Sequence, residues 1–379
     1  MLTPDTESAL AALVAAADAP FAIEGQGTKR AMLRPVQAAA TISTRNLTGI
    51  TLHRPTELII SARAGTPVAE VEAMLATKGQ MLIAEPPSYA GIFGAGNATI
   101  GGAVAAGISG PRRITGGAMR DHVMGVRFVN GAGEVMHSGG RVLKNVTGLD
   151  LCKLLTGSHG TLGIITEVTL KVLPRPEATA TLAVNAADFA TGQRVLSAGL
   201  GAPYGVSGAA IVGHRALLRI EDFAESVAYR IAKLRQDLAE HGASEIIEGE
   251  ASRALWRDVA EATPLDLAPD DAVWRVSVKP SEGPRLAAAL RTAFDAKLML
   301  DWGGGLVWVA GPATEAAHRA VMAAAEDGAF LLFRAPDALR AAVPVIKPDA
   351  PALATIARRV KAALDPRGLF NPGRMQAGF

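Results

Sequence analysis

Val168, Leu170 and Val172 alternate with Glu167, Thr169 and Lys171, a period of two that predicts a strand with one face in a core. Short strands rich in β-branched residues are predicted in PFAIEG (20–25), ATISTRNL (40–47) and ELIISARAG (57–65). Helical spacing appears at Val68, Val71 and Leu75, with Thr66 read as the cap, Pro67 as the first helical residue and Gly79 as the stop. The opening MLTPDTESALAALVAAADAP reads as an amphipathic helix. RFVNGAGEVMH (127–137) is a hairpin with Asn130, Gly131 and Gly133 in its turn, and a short helix over 150–156 is ended by Gly157.

Beyond PRP at 174–176 the pattern changes. TLAV, YGVSGAAIV, LLRI, VWRVSV and LVWVAG read as strands alternating with helices, the clearest over 225–240, which predicts helices laid on a mainly antiparallel sheet. A last helix puts Leu353, Ile356, Val360 and Leu364 on one face, opposite Arg358, Arg359 and Lys361, and DPRGLFNPGRM follows. This divides the chain into 1–175, a second unit at 178–333, and a segment at 334–379 that returns to the first.

A length of 379 residues favours such a division over one core. With 38 basic against 36 acidic residues and no block of either sign, no surface for nucleic acid is expected. Cys152 is the only cysteine, which excludes an internal disulfide or a multi-cysteine cluster and fits a reducing compartment. Its place on the apolar side of a helix reads as core rather than nucleophile. The amino terminus lacks the basic start of a secretory signal, and no run reaches the roughly 18 apolar residues of a membrane span. The expectation is a cytoplasmic chain without direct membrane insertion, so glycosylation-type matches at Asn46, Asn97 and Asn145 carry no weight. Histidines 53, 122, 137, 159, 214, 241 and 318 show no ligand-like pairing, and no metal site is expected.

Three loops share a design: GQGTKR (25–30) after a strand, TIGGAVAAG (99–107) before the basic PRR, and TGSHGTLG (156–163) between a helix and a strand. Amides in such bends converge on phosphates, and a missing Cβ lets the chain touch them, although each loop alone also reads as an ordinary turn. Neither the P-loop nor the dinucleotide fingerprint is present.

GQGTK, ATIGGAVAAGISG, RDHVMGVRFVNGAGEV, LLTGSHGTLGIITEVTLKVLP and DPRGLFNPGRM stand in the order and spacing of flavoproteins of the vanillyl-alcohol oxidase and p-cresol methylhydroxylase type, which the chain therefore resembles. Within that family, EPPSYAGIFGAGNATIGGAVAAGISGPRR, DWGGGLVWVAG and the short length are most similar to the FAD-binding subunits of bacterial glycolate oxidases. The resemblance implies an α+β fold: a two-subdomain FAD-binding lobe with a cap of antiparallel sheet and helices. It implies FAD with its pyrophosphate at Gly25, Gln26, Gly27, Thr28 and Lys29 and at Thr99, Gly101, Gly102 and Gly107. It further implies an adenine-side contact at Gly160, Gly163 and Ile165, and Asn371 and Arg374 near the flavin ring. Relatives with covalent flavin often carry a histidine in the first loop; this chain has Gln26 and Thr28 around Gly27, so non-covalent FAD is expected. Arg112 and Arg113 are read either as added charge at the pyrophosphate or as solvated or partner-facing groups.

The same resemblance implies oxidation of glycolate to glyoxylate within a hetero-oligomer. The implied partners are a larger paralogous flavoprotein subunit and an iron–sulfur subunit, which would also allow membrane association. A self-sufficient dehydrogenase of small 2-hydroxy acids and a redox-inactive scaffold are the alternatives. Oxidising a 2-hydroxy acid requires a base near the hydroxyl and a cation for the carboxylate. His159, Arg334, and Asp301 with Trp302 are candidates, but they read first as a structural or solvent-facing histidine, a surface ion pair and a tight hairpin. No residue is assigned as catalytic.

Overall fold

The alternating residues 167–172 lie within strand Ile164–Pro174, whose inward side chains are buried and whose outward ones are partly exposed, in a computed structural model that describes residues 1–140, 149–326 and 328–378. Asn145 lies outside the described residues. This strand is the spine of an antiparallel sheet. Ile59–Arg63 and Val123–Val129 flank it, Ile50–Arg54 and Val135–Gly139 form the outer strands, and Gln80–Leu82 pairs with its far end. Asn130 shapes the hairpin turn, its side-chain oxygen accepting from the amides of Ala132 and Glu134.

A second, two-stranded sheet pairs Phe21–Glu24 in parallel with Ala40–Ser43. Helix Glu7–Ala15 covers it with the buried Leu10 and Val14, in one cluster with Phe21, Ile42, Leu369 and Phe370. The tail is stitched to this sheet: Phe21 donates its amide to Leu369 O and Asn371 donates to Phe21 O.

The later strands form one antiparallel eight-stranded sheet in the order Ser244–Glu248, Ala178–Asn185, Arg215–Asp222, Val206–Val212, Lys297–Asp301, Leu306–Pro312, Asp271–Ser277 and Ala329–Arg334. Helices including Phe189–Gly201, Ala224–Asp237 and Gly283–Phe294 bury their apolar faces on it. Met32, Leu33, Tyr89 and Ile92 from the amino-terminal half enter the same core, so the two halves are packed against each other. The chain keeps contact with this sheet past residue 334, with Ile346 bridging Leu331. Charges close the seam: Glu85 pairs with Arg219 at 3.0 Å and Arg112 at 3.1 Å, and Arg112 reaches Glu221 at 2.9 Å. Burial would raise the Glu85 carboxyl, but Arg219 and Arg112 hold it below its ordinary value.

Two local expectations fail. Thr66 does not cap; its buried hydroxyl exchanges hydrogen bonds with the backbone of Gly49, and Pro67 takes the cap position before helix Val68–Ala76. On the last helix, Pro351–Leu364, the predicted apolar face is open in its first half, with Leu353 and Ile356 each 57% exposed, while Val360 is half-buried and Leu364 packs on the core of the first sheet. The buried residue there is Lys361, whose ammonium donates to Asp365 Oδ2 and Thr161 O, both at 2.6 Å, and to Phe370 O at 3.0 Å. The helix docks by its carboxy-terminal end, where Leu364 packs on the core and three oxygens satisfy the buried ammonium.

Candidate functional site

Strand Phe21–Glu24 delivers the first loop. Glu24 turns back to Arg30 through paired hydrogen bonds of 2.5 and 2.6 Å, and Ser43 donates its hydroxyl to Gly25 O at 2.6 Å, so both ends of the bend are pinned. Between them, among the described residues, none of the amides of Gly25, Gln26, Gly27, Thr28 and Lys29 has an acceptor. Successive unpartnered amides in a bend leave their N–H groups free for water or for an anion. Lys29 stands beside it, its ammonium pushed down to about 8 by burial, which marks a cation held away from water.

The second loop meets the first. Thr99 caps helix Ile100–Ala105, its hydroxyl accepting from Gly102 N at 3.1 Å, and Gly101 N donates to Ala64 O at 2.9 Å. A Cβ on Gly25 would stand 2.3 Å from Thr99 Oγ1, and one on Gly101 would stand 2.5 Å from Ala64 Cβ. These glycines therefore let one protein segment close on another. Close packing is thus a second reason for their trimming, beside the ligand contact that the sequence implied.

The third loop docks on the second: Gly157 donates to Val104 O and His159 to Ala105 O. His159 and Asn371 both hold positive φ, at 52° and 44°. Asn371 fastens the arrangement, accepting from Ile23 N at 2.8 Å and donating to His159 O at 2.8 Å. Arg374 donates to the carbonyls of Lys29, Arg30 and Arg34, so its guanidinium secures the first loop's backbone.

Together these loops enclose a cavity of about 450 Å³. Residues 25–29, Thr99, Gly101, Gly102, Gly160, Gly163, Ile165, Asn371 and Arg374 all line it. Gly107 does not; it turns the chain after the helix at φ 62°, where an added Cβ would stand 3.3 Å from Gly157 Cα. His159 also lines the cavity, and burial, with Arg374 nearby, pushes its imidazole down to about 3, so it is neutral at ordinary pH. Arg340 was missed by sequence reasoning. It lines the cavity while donating to Leu33 O at 2.7 Å, a contact 307 residues distant in the chain that no local pattern announces.

Other candidates fall elsewhere. Arg112 is consumed by Glu85 and Glu221 on the lining of a second cavity, not at the first. Arg334 is neither a carboxylate site nor an ion pair; it donates to the carbonyls of Ile92, Ala268 and Pro269. Burial pushes the Cys152 thiol up to about 11, which keeps it protonated. Asp301 and Trp302 form the tight connection between strands Lys297–Asp301 and Leu306–Pro312 and do not line the 450 Å³ cavity. Among the described residues no three potential metal ligands gather, and no helix is long and apolar enough to cross a membrane.

Residues 1–139 match the model of an FAD binding domain family. The fold is that of p-cresol methylhydroxylase: the structure of that enzyme with substrate bound superposes with a TM-score of 0.73 at 13% identity, over 99% of this chain and 88% of that one. The glycolate oxidase subunit GlcE of Escherichia coli K12 is 34% identical over 368 residues, covering 94% of this chain and 93% of that protein. A shorter stretch of 84 residues is 43% identical to the glycolate oxidase subunit GlcD of Bacillus subtilis, over 22% of this chain and 18% of that one. The sequence relatives define an FAD-dependent oxidoreductase, here on the p-cresol methylhydroxylase fold. The chain belongs to the flavoprotein family that includes the glycolate oxidase subunit GlcE.

Proposed function

We propose that residues 25–29 and the Lys29 ammonium hold the diphosphate of FAD, with Gly160, Gly163 and Ile165 on the adenine side and no covalent link to the flavin. The chain then serves as one subunit of a complex that oxidises glycolate to glyoxylate, beside a larger paralogous flavoprotein and an iron–sulfur subunit. The observation that carries this reading is the row of acceptorless amides in the first loop, open to the cavity and flanked by a desolvated lysine. Five N–H groups and one ammonium match a group with two negative phosphates. The likeness to GlcE over nearly the whole length supports the choice of complex.

When bound, FAD supplies hydride acceptance from a carbon bearing a hydroxyl. The chain's own contributions are positional. Glu24, Ser43 and Arg374 fix the curvature of the first loop, and Asn371 holds it to the third. The neutral His159 brings no positive charge to the ligand, which leaves that role to Lys29. With one cysteine, the chain leaves any iron–sulfur centre to another subunit.

The test is the absorption spectrum of the purified chain, followed by acid precipitation and then by anaerobic glycolate with and without the partner subunits. Flavin that is released into the supernatant by acid and bleached in the assembled complex supports the proposal. A colourless chain that refuses added FAD overturns it.

A further inference from the structure

Two guanidinium groups share one indole where the two halves of the molecule meet. Trp302 donates Nε1–H to Gly110 O at 3.1 Å, tying the connection after strand Lys297–Asp301 to the end of the glycine-rich run. Three residues beyond Gly110, the Arg113 guanidinium lies 4.2 Å from the centre of that indole. From strand Asp271–Ser277, Arg275 lies 5.4 Å from the same ring, 5.0 Å from Trp308 and 5.6 Å from Phe333.

Among the described residues neither cation makes a direct ion pair, although Asp301 acts on Arg275 and Asp121 on Arg113 from farther off. Arg112, the neighbour of Arg113, takes both Glu85 and Glu221. Among the described residues no carboxylate comes within ion-pair distance of Arg113 or Arg275, and Arg275 Nε is buried without a hydrogen-bond partner. Asp301 is next to Trp302 in sequence, but its hydrogen bond is to the Trp302 amide at 2.6 Å. A buried N–H left unpaired is costly, and two like charges at one ring repel, so the arrangement calls for an anion. Planar forks above an aromatic platform suit a planar, bidentate acceptor, which a carboxylate is. Ala105 and Ala106 of the same run line the 450 Å³ cavity, and the two arginines and Trp302 lie off that lining.

We propose that Arg113 and Arg275, gathered at Trp302, bind the carboxylate of a small 2-hydroxy or 2-oxo acid. The choice of acid rests on the function proposed above; the anion site itself rests on the two unpaired arginines.

Oxalate, a redox-inert dicarboxylate, is the probe, titrated into the full-length chain and followed by tryptophan fluorescence and calorimetry. Wild type is expected to bind it saturably, and Arg275→Gln and Arg113→Gln each to weaken binding roughly tenfold or more, the loss of a charge-assisted hydrogen bond. Arg358→Gln, on the exposed last helix, is expected to leave affinity unchanged. Absence of saturable oxalate binding by wild type, unchanged affinity in both variants, or equal competition by inorganic phosphate overturns the proposal. Should Arg275→Gln fail to fold, the exposed Arg113→Gln decides. Flavin content, read separately from visible absorption, distinguishes failure here from failure of the cofactor reading: a yellow chain indifferent to oxalate sinks only this site, and a colourless one whose oxalate affinity falls in the variants sinks only the other.

Discussion

The side chain of Asn371 donates to the carbonyl of His159 across 2.8 Å, joining residues 212 positions apart, while its oxygen accepts from Ile23. One carboxamide thus sets the spacing between the first and third loops of the cavity. Asn371→Ala leaves the Ile23 amide and the His159 carbonyl without partners and places alanine at a positive φ that asparagine tolerates better. We expect a stability loss of about 1–3 kcal/mol and weaker flavin retention, read by thermal melting and by FAD titration. Unaltered FAD affinity in a folded variant would show that the clamp does not shape the cavity.

Gly101 and Gly107 separate two reasons for a glycine. A methyl group on Gly101 meets Ala64 Cβ at 2.5 Å, and the collision is expected to cost about 1–3 kcal/mol and to shift the loop against the cavity. Gly107 lies off the lining at φ 62°, so Gly107→Ala should cost about 1 kcal/mol in stability and leave FAD affinity as it was. Melting curves paired with FAD titrations check both.

On the proposed cofactor reading, Lys29 is expected to make FAD binding depend on pH. Its ammonium is pushed down to about 8 in the cavity by burial, and a diphosphate placed beside it restores the charged form. The protein should therefore take up protons on binding FAD near pH 8, and affinity should fall as pH rises through that region. Calorimetry in buffers of different ionisation enthalpy measures the uptake; Lys29→Met is expected to abolish it.

Asp301 is a buried carboxyl, 2% exposed, raised to about 7 mainly by burial. Its folded form holds a proton that the unfolded chain releases near pH 4. Its contribution to stability is therefore full below that pH and is lost as pH rises towards 7. Asp301→Asn, which cannot ionise, should gain melting temperature relative to wild type between pH 5 and pH 8. A difference between the two that stays constant across that range contradicts the assignment.

Much of this was legible in the chain itself. The alternation at 167–172 needed only a strand's period of two, and the turn at Asn130 needed only residues that bend easily. Residues of all three glycine loops line one cavity, as their shared design suggested, because local backbone geometry is written in local residues. Thr66 shows the limit even nearby: its hydroxyl had a cap to offer, and Gly49, brought alongside by packing, took it instead.

What only the tertiary structure decided are the partnerships between distant groups. Periodicity placed Lys361 on the wet side of its helix, yet Thr161 O, Phe370 O and Asp365 gather around its ammonium and make the interior the better place for it. Arg112 and Arg113 are adjacent in sequence, and one is neutralised at the seam while the other faces Trp302 with no direct ion pair among the described residues. A sequence fixes which charges and hydrogen-bonding groups exist and which way each element prefers to run. Whether a given charge ends up paired depends on which oxygens the fold carries within about 3 Å of it, and that distance is set by contacts hundreds of residues apart.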